Sequence, residues 1–427
     1  EANRSNNSIG NISVSGPLTL SFGANSSAQE IIFSADNNVS IDSTVFFSNF
    51  LGQLRLIAGA SDGGQIGSVF AQGLINAGLL KVTGSVIQIG EAEAEEIILN
   101  VGGEATLGNV TAETLTSTGL VNLGGSNSTL ENLRILSGRV NVSEISGLPS
   151  ETIYFGNGTL NIANTSPLEL DQQVTVDEFG EIIFGASGNF SGSVDALTEN
   201  TGNVRIASVS DLTISGSIGT NRTLEIIDFS SEGDLELTET ARLVSDEFIG
   251  FFADGDIFID SDEVIGSQFG GELRISADRD SDGTGGVINL VSSLSAGSLE
   301  VSGNLVFDGS GEISVLNNSN INGSISTISE EEGVELTLRS DAFVQVFGEV
   351  DFDEITLDSV NNGDIFLRGD VTANTLSTIG SGLASLAGSN SAINRLRIVT
   401  GAVNILTDSN LPSDSIFFGD GVLRIII

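Results

Sequence analysis

The residues able to do chemistry are of few kinds. The 427-residue chain has no His and no Cys, and its single Lys is Lys81. A Ser-His-Asp triad, a Cys-His pair and a His-ligated zinc or iron site are therefore excluded. No GxxxxGK[ST] loop occurs, and the scattered glycine-rich pieces read as β-turns, not phosphate cradles. Carboxylates remain: 57 Asp and Glu. A pair of them could hydrolyse a glycoside, and a calcium-assisted lyase would need Arg or Lys as its base. The arginines sit at alternate positions of strand-like runs, as in Arg55, Arg134, Arg274 and Arg397, where an outward register puts them in solvent. With no Trp and only Tyr154, a sugar site also lacks its usual stacking surfaces. The chain is expected not to be an enzyme, a carbohydrate-active solenoid being the third alternative.

The sharpest local motif is DRDSDG. It places Asp278, Asp280, Asp282 and Gly283 at the spacing of a calcium loop, where alternate carboxylates converge on one cation and Gly permits the turn. The twelfth loop position is Asn289, not Glu, and a matching turn, GASDGG from Gly59, keeps only Asp62. Two readings stand: a weak calcium site with Asp278, Asp280 and Asp282 as ligands, and a solvated acidic turn. In DGDIFIDSDE, Asp260, Asp262 and Glu263 read as the rim of an alternating strand. Arg368-Gly369-Asp370 spells RGD, but a regular strand would not present it as a loop tip. Sequons such as Asn109, Asn141 and Asn157 are expected by chance from this composition.

Elements must position these groups, and composition names the kind. Ile, Leu, Val, Ala and Phe dominate the apolar set; there are 53 Gly, 4 Pro and 23 Phe. Ile, Val, Phe and Thr favour strands, while Gly, Asn, Asp and Ser supply turns. Runs such as GQLRLIAG (from Gly52) and GELRISAD (from Gly271) alternate apolar and polar residues, the period of a strand with one buried face. Leu54, Leu56 and Ala58 should point inward, Gln53 and Arg55 outward. EAEAEEIILN from Glu91 is the best helical candidate, yet it alternates at its start and leads into a strand. The net charge of -42 excludes nucleic acid as a partner, since a phosphate chain needs a basic footprint. It also keeps a long β structure soluble. No apolar run reaches the roughly 18 residues of a membrane span, so no membrane insertion is expected.

A longer repeat lies above the strand rhythm. GLLKVTGSVIQIG (from Gly78) matches GSLEVSGNLVFDG (from Gly297), and GNVTAETL (from Gly108) matches GDVTANTL (from Gly369). SNSTLENLRILSGRVNVSEISGLPSETIYFGNGTLNI (from Ser126) matches SNSAINRLRIVTGAVNILTDSNLPSDSIFFGDGVLRI (from Ser389). The offset between matches grows along the chain by about two coils of a ~20-residue solenoid, inserted near 310–350. The fold expected is all-β: a right-handed parallel β-helix of about twenty coils of ~20 residues. Its two homologous halves are 1–215 and 216–427, in one continuous rod. The closing strand LRIII (Leu423 to Ile427) is no polar cap, so further coils or another subunit are expected to cover it.

YFGNGTLNIANTSPLELDQQVTVDEFGEIIFGASGNFSGSV (Tyr154 to Val194) resembles the autotransporter-associated β-strand repeat. The GxLxLxA and IxIxG phrases resemble filamentous-haemagglutinin-type secreted passengers. The resemblance implies right-handed parallel β-helices exported by Gram-negative bacteria as stalks, adhesins or surface filaments. The function expected is a structural, extracellular or cell-surface solenoid that stacks end to end as a homo-polymer or on further coils of the same protein. The alternative is an adhesin binding a cell-surface receptor or glycan, with NNSNINGSIS (from Asn317) and SEEEGVEL (from Ser329) as its candidate loops.

Overall fold

The structure, a computed structural model, describes residues 11–14, 18–20, 30–41, 45–47, 52–59, 67–143, 147–260, 264–265, 271–279, 286–291 and 293–426. Among these the regular elements are β-strands and two 3-10 turns, Val360–Asn362 and Asp408–Asn410, with no α-helix. The strands stack in parallel as a β-solenoid of about 17 turns. No helix among the described residues is long and apolar enough to cross a membrane. The chain falls into two compact units, 1–186 with 192–197, and 187–191 with 198–427.

In the first unit Glu30–Ala35 pairs with Gln53–Ala58, and Asn38–Ile41 with the start of Ser68–Leu123. Ser68–Leu123 pairs with Thr129–Val142, that strand with Pro149–Ile162, and that one with Gln173–Phe184. Every one of these pairings is parallel. As the alternation predicts, Leu54, Leu56 and Ala58 are buried while Gln53 and Arg55 are not. Residues 91–100, the best helical candidate, are strand throughout.

In the second unit each coil contributes three strands. Asn203–Ser208, Leu212–Ile214 and Ser217–Ile218 pair in turn with Leu224–Ser231, Leu235–Leu237 and Arg242–Ala253. The pattern continues until Ala392–Ile398 and Ala402–Ile405 carry Ser415–Phe418 and Val422–Ile425. Across 310–350, where the insertion is expected, the coils are in register: Gly311–Val315 pairs with Glu335–Ser340, which pairs with Glu354–Ser359.

Parallel register places each inward side chain over its counterpart one coil away. Val140, Leu160 and Ile182 form one such column. Phe229 and Phe251 stack at 5.5 Å and 7°. Each buried Leu, Ile or Phe contributes about 1.5–3 kcal/mol, and the column repeats this at every turn.

Coil length is less uniform than expected. Thr111 lies opposite Thr129, a short step, whereas Ile257 lies opposite Ile288, a much longer one. The turns therefore number about 17, not about twenty. The long steps occupy matching places in the two units: Asn38 opposite Ser68, and Ile257 opposite Ile288. They span the sequences GASDGG and DRDSDG; residues 60–66 and 280–285 lie outside the described residues.

Candidate functional site: the outward faces of the coils

Inward positions are mostly apolar, and buried polar side chains such as Ser231, Ser340 and Asn410 bond to backbone carbonyls, so accessible chemistry comes from outward positions and corners. Parallel stacking brings these into columns, because equivalent residues of neighbouring coils lie about 4.8 Å apart.

One column is carboxylate. The Asp234 backbone N–H donates to the Asp211 carboxylate at 3.1 Å, the Asp256 N–H to Asp234 at 2.8 Å, and the Val287 N–H to Asp256 at 3.0 Å. A Cβ on Gly233 would run into the Asp211 carboxylate and one on Gly255 into that of Asp234, so glycine beside aspartate lets each tuck against the next coil. A second column is amide. Asn161 donates to Asn141 at 3.2 Å, Asn141 to Asn122 at 2.7 Å, and Asn122 to the Glu104 carboxylate at 2.6 Å. These side chains are spent on joining coils.

The arginines face outward as expected, but they are partnered. Arg55 lies 3.1 Å from Glu30, and Arg274 lies 2.8 Å from both Glu272 and Glu300. Arg134 sits over the Tyr154 ring at 5.0 Å, and Arg397 over Phe417 at 5.9 Å. Such exposed pairs contribute at most about 1 kcal/mol each. The Tyr154 hydroxyl donates to Asp177 at 3.2 Å. Burial, then the Asp177 charge, raises its pKa above the usual 10.0.

Of the three proposed calcium ligands only Asp278 is described; Asp280 and Asp282 lie outside the described residues. Asp278 adopts a left-handed φ of 53°, and its Oδ1 makes no hydrogen bond among the described residues. No group of three or more carboxylates that could hold a metal occurs among the described residues. Asp260 is exposed; Asp262 and Glu263 lie outside the described residues.

The RGD tripeptide sits at a corner between Asp364–Leu367 and Val371–Gly380, not within a strand. It is nonetheless locked into the coil ladder. The Arg368 N–H donates to the Val346 carbonyl at 2.8 Å, and the Asp370 carbonyl accepts from the Val350 N–H at 2.9 Å. The Asp370 carboxylate accepts from the Asn390 N–H at 2.8 Å. The Arg368 guanidinium lies 5.2 Å from the Phe347 ring centre and 5.1 Å from that of Phe366. Gly369 belongs to a glycine column with Gly348 and Gly388, where a Cβ would run into the carbonyl of the coil below. The sequon asparagines are likewise engaged: Asn109 accepts from the Asn127 N–H, Asn141 joins the amide column, and Asn157 donates to Glu178 at 3.2 Å.

Two grooves were not apparent from the sequence. One, of about 880 Å³, is lined by Arg339, Asp358, Asn361, Ser381, Thr400 and Asp420 among others. Its lining mixes charged, polar and apolar residues, Val360 and Ala402 among them, and its guanidinium is already 3.7 Å from Asp358. The other, of about 340 Å³, lies along Phe70, Gln88 and Thr106 in the first unit. Their even spacing along the chain was the available signal, but it emerges only once coil length is known. No family model, curated protein or solved structure matches the chain.

Proposed function

We propose that the chain is a non-enzymatic, extracellular structural solenoid: a subunit or segment of a surface filament, stalk or surface layer, stacking through its coil faces. One observation carries this reading. Outward polar side chains are used in columns that tie one coil to the next, as in Asp211–Asp234–Asp256 and Glu104–Asn122–Asn141–Asn161, where a catalytic site would make them converge. Such columns can be prolonged by any number of coils, since each coil contacts only its neighbours. Resemblance to secreted β-helix passengers supports the extracellular assignment. Calcium at the 278–283 turn, with Asp278, Asp280 and Asp282 as ligands, belongs to the same reading.

Electron micrographs of the purified chain at high concentration, with and without calcium, test it. End-to-end filaments are expected, favoured by calcium. Dispersed short particles under both conditions would overturn the stacking.

An adhesin is the second reading, favoured by one local feature. Gly311 lies opposite Leu336, a longer step than that from Glu335 to its partner Glu354, and the added length is displayed at 328–333. There Ile328 is 64% exposed beside Glu330, Glu331 and Glu332. Cell binding that is lost on deleting 328–333 would support it; cell binding left unchanged would sink it.

A further inference from the structure

We propose that the groove along Phe70, Gln88 and Thr106 binds a pyranose unit of a neutral glycan. This goes beyond the structural role and does not depend on it.

The groove is built by register. Phe70, Gln88 and Thr106 recur at equal steps on outward positions, and all three are exposed. Phe70 is 37% exposed, an aromatic ring held on the outside of a coil whose inner face is filled by Val69 and Ala71. Beside this column runs a second, Gln72, Gly90 and Gly108. A Cβ on Gly90 would lie 2.9 Å from the Gln72 carbonyl, and one on Gly108 would run into the Gly90 carbonyl. Close approach of the coils therefore keeps both positions bare, and the groove floor is backbone.

Three properties define the ligand. First, the volume of about 340 Å³ lies at the lower end of small-ligand pockets, which span about 300–1,000 Å³. Second, the lining carries no charge in a chain of net charge -42. An anionic sugar would be repelled by the surroundings, and a cation would find better partners in the carboxylate columns. Third, Gln72, Gln88 and Thr106 make no side-chain hydrogen bond among the described residues, unlike the amide column of the same unit. Two amides and a hydroxyl, each able to donate and accept, line the groove together with an exposed aromatic ring. That combination suits a pyranose, whose C–H face lies against a ring while its hydroxyls take the rim. Phe70 supplies the stacking surface that the absence of Trp removes.

The test applies the purified chain to a panel of neutral oligosaccharides (glucans, galactans and mannans), with hyaluronan and polygalacturonate as acidic comparators. The best binder is then titrated calorimetrically. Phe70→Ala and Gln88→Ala should each weaken binding at least about tenfold. Leu136→Ser, at an exposed position outside the groove lining, should not. Thermal unfolding of each variant shows whether a loss reflects misfolding; because both residues face outward, unchanged stability is expected, and Gln72→Ala provides a second check. Retention of no neutral glycan, preference for the acidic polymers, or binding that survives Phe70→Ala and Gln88→Ala would each overturn the proposal. Filament formation is read separately, so the two proposals can fail independently.

Discussion

Segments 126–162 and 389–425 carry the same motif, and the coils around them treat it differently. In the first, Pro149–Ile162 lies between Thr129–Val142 and Gln173–Phe184. Phe155 is 0% exposed, and Ile153, Leu160 and Ile162 are buried with it. In the second, Ser415–Phe418 and Val422–Ile425 lie on Ala392–Ile398 and Ala402–Ile405, and no described strand lies on their other side. Phe418, the counterpart of Phe155, is 50% exposed, and Ile425 is exposed where Ile162 is not. The same inward residues thus meet opposite burial. Each coil makes half of a core, and its neighbour makes the other half. Contacts made toward the preceding coil survive in both copies: Arg134 over Tyr154 and Arg397 over Phe417 are the same pair.

The contrast can be broken most directly at the two phenylalanines. Phe155→Ala should cost about 3–5 kcal/mol in urea denaturation, through lost burial and the cavity left behind. Phe418→Ala should cost less than half as much, since its side chain is already half in water. Equal losses would mean that Phe418 is covered in solution by a stacked coil. A smaller effect separates the amide pair. Asn141 both donates and accepts in its column, so Asn141→Ala should cost about 1 kcal/mol. The Asn404 Oδ1 has no hydrogen-bond partner among the described residues, and Asn404→Ala should cost less.

The smallest effect is in the alkaline range. Tyr154 is the only Tyr and there is no Trp, so tyrosinate absorbance reports one group. Its folded pKa is raised above 10.0, hence the unfolded chain loses the proton first. The associated stability is fully present below the unfolded value and is lost as pH rises through the folded one. An absorbance midpoint above 10 is expected in the native chain, returning to about 10 in denaturant. Tyr154→Phe, which copies Phe417, should remove that part of the alkaline loss. A native midpoint at or below 10 would contradict the packing of Tyr154 against Asp177.

Much of the fold was legible because a strand's period is local. Gln53 to Ala58 alternates in sequence and alternates in burial. The duplication was legible because segments 126–162 and 389–425 share their strand-forming residues and turn glycines in one register. Coil length was less so: an added corner residue leaves the strand pattern intact, and short and long steps look alike between turn signals. The arginines illustrate a second limit. Alternation placed Arg274 outside, but its contact with Glu300 depends on which residue the next coil sets opposite. RGD reads as a motif in one dimension; in three, a corner glycine and two phenylalanines make it part of the ladder.

The sequence alone determined the lack of His- and Cys-based chemistry, the β class, most of the inward set and the internal repeat, since these follow from residue type and from a period of two. Only the tertiary structure decided which outward residues share a column, which glycines are pressed against a neighbouring carbonyl, and where Phe70, Gln88 and Thr106 form a groove. Those depend on coil-to-coil register, where one added residue changes every neighbour along a column.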